Sequence, residues 1–269
     1  MVEGRGLDGQ RVLVVGGSSG IGRGVAVGVR AAGAEMAVVG RRAESLAEVV
    51  TSAGGGTAIV ADVRDGDRCA AMVKEAVDAL GGLDVIVYAA GVSPLTELAS
   101  ADAALWHDVM ATNTIAPALV TRAALPSLST NGVVVFVSSV NTGYGYDGLG
   151  PYAASKAALD SSVRGWFTEH PDVRFVRLAV GDTIGTDFAR GFDLELAGSL
   201  FPKWLAHGVL WERQMDADDL GLAITEILTT LVTHPSITIP DLTITPPGPM
   251  ASGGADALVA ELGAIAEDR

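Results

Sequence analysis

The sequence predicts an α/β protein built on a parallel, doubly wound sheet of about seven strands, with helices on both faces, as one domain over residues 1–269. Three observations carry this reading. Short apolar runs alternate with longer amphipathic stretches, the pattern of strand–helix–strand units that close a parallel sheet. The first apolar run ends in a glycine cluster that opens a helix. The run Leu83 to Tyr88 is apolar almost throughout, as a strand covered on both faces must be.

Taken in order, Arg11 to Val15 reads as the first strand and Gly16-Gly17-Ser18-Ser19-Gly20-Ile21-Gly22 as a turn into a helix that runs to Ala32. Glycines there let the chain turn tightly and approach a pyrophosphate, whose charge then faces the free N–H groups of the new helix. The spacing is Gly-x-x-x-Gly-x-Gly, which differs from the generic dinucleotide fingerprint. Glu35 to Val39 forms the second strand and closes on Gly40-Arg41-Arg42. A carboxylate at this point would read a free ribose hydroxyl, but none occurs before Glu44. Arg41 and Arg42 instead suit a 2′-phosphate, which guanidinium groups hold in a bidentate fork, so the expected cofactor is NADP(H) rather than NAD(H). Thr57 to Ala61 is the third strand, followed by Asp62-Val63 and a helix from Arg64 to Leu80 that stops at Gly81-Gly82. The fourth strand, Leu83 to Tyr88, closes on Ala89-Ala90-Gly91.

A helical stretch from Asp102 to Leu128 carries Asn113 among Met110, Ile115 and Leu119. Val133 to Val137 is the fifth strand, and its end at Ser138-Ser139 is where open α/β sheets bind ligands. A Gly- and Tyr-rich loop then leads into Pro151-Tyr152-Ala153-Ala154-Ser155-Lys156. Proline suits a first helical position, and Tyr152 and Lys156, four apart, share one helical face. Acid/base work near neutrality would need the phenol, ordinarily near 10, to fall by about three units. No single neighbour supplies that; the lysine, the helix dipole and a cationic cofactor ring would have to act together. By itself the motif also reads as a surface tyrosine and lysine. Val173 to Ala179 is the sixth strand, ending at Val180-Gly181. From Asp182 to Met215 the pattern breaks, and Phe188, Phe192, Phe201, Trp204 and Trp211 suggest a substrate lid or a helical pair packed on the core. Ala217 to Leu231 is a helix, and Ile237 to Ile244 a last strand whose Pro240 suits a sheet edge. In the tail, residues 246–269, Leu258, Leu262 and Ile265 line one helical side.

The charge of −14 argues against a nucleic-acid or anionic-membrane surface, because those partners reward Lys and Arg. A small ligand fits better. No apolar run approaches the roughly 18 residues of a membrane helix, and Met1 to Gln10 has no apolar signal core. The single cysteine, Cys69, excludes an internal disulfide and fits the cytoplasm; we expect it to be inert packing. His107, His170, His207 and His234 lack metal-ligand spacing, and no metal is expected.

Gly16 to Gly22, Asn113, Ser139, Tyr152 and Lys156 together resemble the short-chain dehydrogenase/reductase family, from about Arg11 to Ile244. The resemblance implies a Rossmann-like sheet of strand order 3-2-1-4-5-6-7. It makes Tyr152 the group that gives or takes the hydroxyl proton, and Lys156 the group that lowers its pKa and binds the nicotinamide ribose. Ser139, thirteen residues before the tyrosine, would hold the substrate oxygen in preference to Ser138. Asn113 would keep a water that relays protons from Lys156. Gly16, Ser18, Ser19, Gly20, Ile21, Gly22, Asp62, Val63, Ala90, Gly91, Gly181 and Thr183 would face the cofactor, with Asp62 and Val63 at the adenine. Self-association as a homodimer or homotetramer would use the stretches near Ala101 to Leu128 and Tyr152 to Phe167. The chain departs from the family at Val15 (usually Thr), at Tyr88-Ala89 (usually Asn-Asn) and at Val180 (usually Pro), and it lacks the frequent glycine-rich ending. The implied function is NADPH-dependent reduction of a ketone or aldehyde, of apolar character if the lid is a guide. Alternatives are an NAD-dependent alcohol dehydrogenase of the same fold and a non-catalytic nucleotide sensor.

Overall fold

A computed structural model describes residues 6–251. Its elements are β1 (Arg11–Val15), α1 (Gly20–Ala31), β2 (Glu35–Gly40), α2 (Ala43–Ser52), β3 (Thr57–Val60), α3 (Gly66–Leu80), β4 (Leu83–Tyr88), α4 (Ala103–Met110), α5 (Ala116–Ala124) and β5 (Leu128–Ser139). They continue with α6 (Gly150–Glu169), β6 (Arg174–Val180), β7 (Thr183–Ile184), α7 (Leu194–Ala206), β8 (Met215–Asp216), α8 (Ala217–Thr233) and β9 (Asp241–Ile244). Seven strands form one sheet in the order β3-β2-β1-β4-β5-β6-β9, and every pairing in it is parallel.

Side-chain alternation along the strands explains the two cores. Val12 and Val14 of β1, Val85 and Val87 of β4, and Val133 and Val135 of β5 face α1, α2 and α8. Leu13 and Val15, Ile86 and Tyr88, and Val134 and Phe136 face α3, α5 and α6. Strands buried on both faces cannot alternate apolar with polar, which is why these runs read as nearly continuous valine and isoleucine.

Several boundaries differ from the sequence reading. The last strand is shorter, Asp241–Ile244, so Pro240 precedes it and accepts from Arg177 N–H at 3.0 Å; the strand is indeed at the sheet edge. The expected long helix is broken by a π-turn at Ala111–Ile115, which separates α4 from α5. The 182–215 stretch holds one helix, α7, not two. Leu200, Phe201, Trp204 and Leu205 of that helix pack on Tyr146 and Leu149 of the β5–α6 loop, forming a third apolar cluster away from the sheet. The expected helical side of Leu258, Leu262 and Ile265 lies outside the described residues.

Helices α1 and α8 meet through glycines. A Cβ on Gly221 would come within 2.3 Å of the Gly24 backbone, and one on Gly24 within 2.8 Å of the Ala217 carbonyl. We therefore expect Gly221→Val to overpack this crossing and lower stability by about 1–3 kcal/mol. Urea unfolding monitored by tryptophan fluorescence checks this, and an unchanged midpoint would contradict the packing.

Candidate active site

The glycine turn is shaped by close approach. Gly16 has φ 88°, and a Cβ there would lie 2.4 Å from the Ala90 amide nitrogen, so the β1 turn and the loop after β4 touch at backbone distance. Only glycine adopts that φ without strain. Gly22 is constrained too, since its Cβ would fall 2.2 Å from the Gly16 carbonyl oxygen. Ser19 is the N-cap of α1, yet its side chain does not cap the helix; its hydroxyl donates to Asp187 Oδ2 at 2.7 Å. The first-turn N–H groups of α1 thus receive no hydrogen bond from their own N-cap side chain, as an anion site at a helix start requires. The turn lies between β1 and β4, where strand order reverses in the sheet.

Arg42 reaches this turn. Its guanidinium donates to Ser18 Oγ at 3.3 Å and pairs with Asp187 Oδ2 at 2.8 Å. Arg190 holds the other Asp187 oxygen at 3.0 Å, and these partners keep the Asp187 carboxyl below its usual range despite partial burial. Arg41 is exposed and lowers the pKa of Asp62 by its charge. Asp62, expected at the adenine, is clasped by Arg64, whose Nη2 stands 2.6 Å from its carboxylate. Val63 is buried, and its carbonyl accepts from Cys69 Sγ at 3.1 Å. Burial pushes the Cys69 thiol up to about 11, consistent with packing and no reactivity.

On the other side of the Gly16–Ala90 contact, α6 presents Tyr152 and Lys156. Pro151 stands in the first turn of that helix, as expected. Both side chains are buried, at 7% and 5% exposure, which removes the surface reading of the pair. Tyr152 stands beside the Ser139 side chain, which lowers its pKa, and Ser139 Oγ accepts from Asn141 N–H at 3.1 Å. Lys156 Nζ donates to the Val137 carbonyl at 2.8 Å and lies 5.9 Å from the centre of the Tyr152 ring. Ser138 turns away and donates to Asp160 Oδ1 at 2.5 Å, so the structure brings Ser139 and not Ser138 to the tyrosine.

Among the protein's own groups, Tyr152 and Lys156 depart from their ordinary values in opposite senses. Burial pushes Tyr152 up to about 12, against a smaller lowering by Ser139, and burial brings Lys156 down to about 8. Desolvation disfavours the charged form of each, so it raises the phenol and lowers the ammonium.

Asn113 sits in the π-turn, fully buried. Its Oδ1 accepts from Val92 N–H and its Nδ2 donates to the Val92 carbonyl and to Ser155 Oγ, each at 2.9 Å. Both amide protons are spent, so the side chain braces the loop after β4 against α6. Gly91 lies on that loop, where an added Cβ would be 3.4 Å from Asn113 Oδ1 and 3.6 Å from Lys156 Nζ. Tyr88 compensates for the missing family asparagine: its hydroxyl donates to the Thr112 carbonyl at 2.8 Å, tying β4 to the π-turn.

Thr183 is not at the turn; it pairs with Met215 in the β7–β8 ladder and donates to the Gly181 carbonyl at 2.9 Å. The residue beside the turn is Thr186, 3.3 Å from where a Gly20 Cβ would be. Sequence reasoning missed Thr186 and Asp187, and it had no local signal for them, because both meet the turn from far along the chain. Phe188 follows, its ring edge-on to Tyr152 with centroids 5.5 Å apart. Among the described residues no His, Cys, Asp and Glu cluster could hold a metal, and no helix is long and apolar enough to cross a membrane.

A glycine-shaped helix start at the sheet's switch point, beside a buried serine, tyrosine and lysine, marks a nucleotide-binding doubly wound α/β protein. The model of the short chain dehydrogenase family matches residues 10–193, and the chain belongs to that family. It is 38% identical over 161 residues to a short chain dehydrogenase of Pseudocercospora fijiensis, covering 57% of this chain and 52% of that one. It is 32% identical over 163 residues to a hydroxynaphthalene reductase of Aspergillus fumigatus, covering 59% and 60%. The chain thus spans roughly half to three fifths of the length of these curated relatives. A solved short chain dehydrogenase from Burkholderia cenocepacia, in complex with NADP, superposes with a TM-score of 0.77 at 26% identity, covering 93% of this chain and 99% of that one.

The buried ammonium has a consequence for stability. With Lys156 at about 8 in the folded chain against 10.5 ordinarily, the unfolded state binds more protons between those values, so this group's cost is full below pH 8 and fades as pH rises to 10.5. Lys156→Met should therefore be more stable than the parent at pH 7, by about 1–3 kcal/mol, with the difference shrinking toward pH 10. Urea unfolding at both pH values measures it; a difference independent of pH would contradict the burial argument.

Proposed function

We propose that the protein is a nicotinamide-dependent oxidoreductase that reduces a ketone or aldehyde to an alcohol with NADPH. The observation that carries this is the burial of Ser139, Tyr152 and Lys156 together, with Ser139 acting on the tyrosine and Lys156 on the same helical face, beside the glycine turn. Support also comes from the relative named a reductase and from the solved relative in complex with NADP.

The residues present suit the cofactor. The turn Gly16, Ser18, Ser19, Gly20, Ile21 and Gly22 would hold its diphosphate, Arg41 and Arg42 the 2′-phosphate, and Asp62 and Val63 the adenine. Ala90, Gly91 and Gly181 would line the nicotinamide half, with Thr186 taking the place expected of Thr183. The cofactor supplies the hydride. Ser139 holds the carbonyl oxygen by hydrogen bond and orients it toward Tyr152. A phenol pushed up to about 12 keeps its proton at neutral pH, which is the form needed to donate to a developing alkoxide. Lys156, with its proton, stabilises the phenolate left behind and binds ribose hydroxyls, and Asn113 holds the loop that faces it. A proton relay through water at Asn113 would have to use its backbone or its remaining lone pair. Phe188 and Phe192, ring to ring above Tyr152, form an apolar cover and favour an apolar substrate. Ile115 and Phe167, about half exposed, mark the faces on which a homodimer or homotetramer would form.

A carbonyl panel scored by NADPH consumption tests the reading. Tyr152→Phe should lower turnover about 10²–10⁴-fold while NADPH binding stays nearly intact; a variant of parent rate would show that another group carries the proton. Arg42→Ala should weaken NADPH about ten-fold, close to 1.5 kcal/mol, and leave NADH unchanged. Fluorescence titration checks this, and equal losses for both nucleotides would remove the 2′-phosphate assignment.

A further inference from the structure

The face of α6 that carries Tyr152 and Lys156 continues to Asp160, so three ionisable groups stand one above another at successive turns. Asp160 is 7% exposed. Its Oδ1 accepts from Ser138 Oγ at 2.5 Å and its Oδ2 pairs with Arg177 Nε at 2.7 Å. Ser138 neighbours Ser139 on β5. Arg177 of β6 extends the connection, donating to Thr142 Oγ1 at 3.1 Å, and Thr142 Oγ1 donates to the Ser139 carbonyl at 3.0 Å. One carboxylate thus joins the helix of the acid to the strand of the serine by two routes.

We propose that Asp160 is a positioning residue of this site: its buried carboxylate is the counter-charge that keeps Lys156 an ammonium, and it holds the Tyr152 helix in register with Ser139. Stability alone does not account for it, because a buried ion pair is on balance no better than apolar packing of similar volume. Its value lies in the charge it places under the lysine. Lys156 is faced on its own helix by Tyr152 and Asp160, from β5 by the neutral Val137 carbonyl, and across Gly91 by Asn113 of the π-turn. Arg177 on β6 approaches through Asp160, and Asp241 on β9 through Arg177 at 3.2 Å. Asp160 acts on both partners in the same sense, raising the pKa of Lys156 and of Tyr152, so it opposes loss of the proton from either. Removing it frees the Lys156 proton at lower pH, and with it the support of the phenolate.

This inference rests on the reductase reading, but its main test does not. The chain has three lysines, Lys74, Lys156 and Lys203, so the side-chain ammonium groups of lysine-labelled protein can be followed one by one by NMR across pH. Lys156 should titrate near 8 in the parent, and lower by about one unit or more in Asp160→Asn, with Lys74 and Lys203 unmoved. Because that variant leaves Arg177 without its buried partner, the decisive form is the double variant Asp160→Asn, Arg177→Gln, which removes both charges of that ion pair and is the more certain to fold. It should still titrate low. A double variant that titrates like the parent would show that Asp160 only neutralises Arg177, and would overturn the proposal. In kinetics the alkaline fall of kcat/KM should move to lower pH with the lysine; an unmoved limb would equally overturn it. A parent protein inactive on every carbonyl would overturn the reductase reading alone, and the lysine titration would still decide the role of Asp160.

Discussion

The candidate site depends on keeping an ammonium charged where water does not reach. Lys156 lies at 5% exposure beneath Tyr152, and burial, partly offset by the charge of Asp160, brings it down to about 8. What surrounds it reads as compensation. The Val137 carbonyl accepts one of its protons, Asp160 lies one turn away, and the bracing of Asn113 keeps the Gly91 loop close above it. The π-turn at Ala111–Ile115 is part of the same arrangement, since it aims Asn113 at Val92 and Ser155 while Tyr88 satisfies the Thr112 carbonyl. A regular helix there would turn Asn113 to a different face.

The sheet and the short-range motifs were legible in the sequence because their causes are local. Valine-rich runs, glycines at fixed spacing, a proline at a helix start and a tyrosine four before a lysine each leave a trace within a few residues. Arg42 was legible as a cation, but its partner was not, since Asp187 lies 145 residues away. Thr183 was expected to face the cofactor, whereas it pairs with Met215 in the β7–β8 ladder and Thr186 lies beside Gly20. Asp160 did leave a signal, an acid one turn beyond the lysine on a buried face. The face alone could not say that Ser138 and Arg177 would meet it.

The tyrosine's proton affinity shows the limit of arguing from charge and dipole alone. Those terms favour the phenolate, and the sequence displays them: a lysine at four positions and a helix start. Desolvation opposes them and depends on what packs above, here Phe188 from a distant segment, with rings 5.5 Å apart. The balance falls to burial, which suits donation of a proton better than its removal.

The two ends of the lid leave the core side by side. Thr183 pairs with Met215 and Ile184 with Asp216, while Asp182 Oδ2 accepts from Trp211 N–H at 3.1 Å. The chain between is thus a closed excursion, pinned at its base by the β7–β8 ladder and by the Asp182 carboxylate. The entropy of closing such an excursion grows only slowly with its length. Between those two posts the segment can change length at little entropic cost, while Tyr152, Lys156 and Ser139 beneath keep their places on α6 and β5.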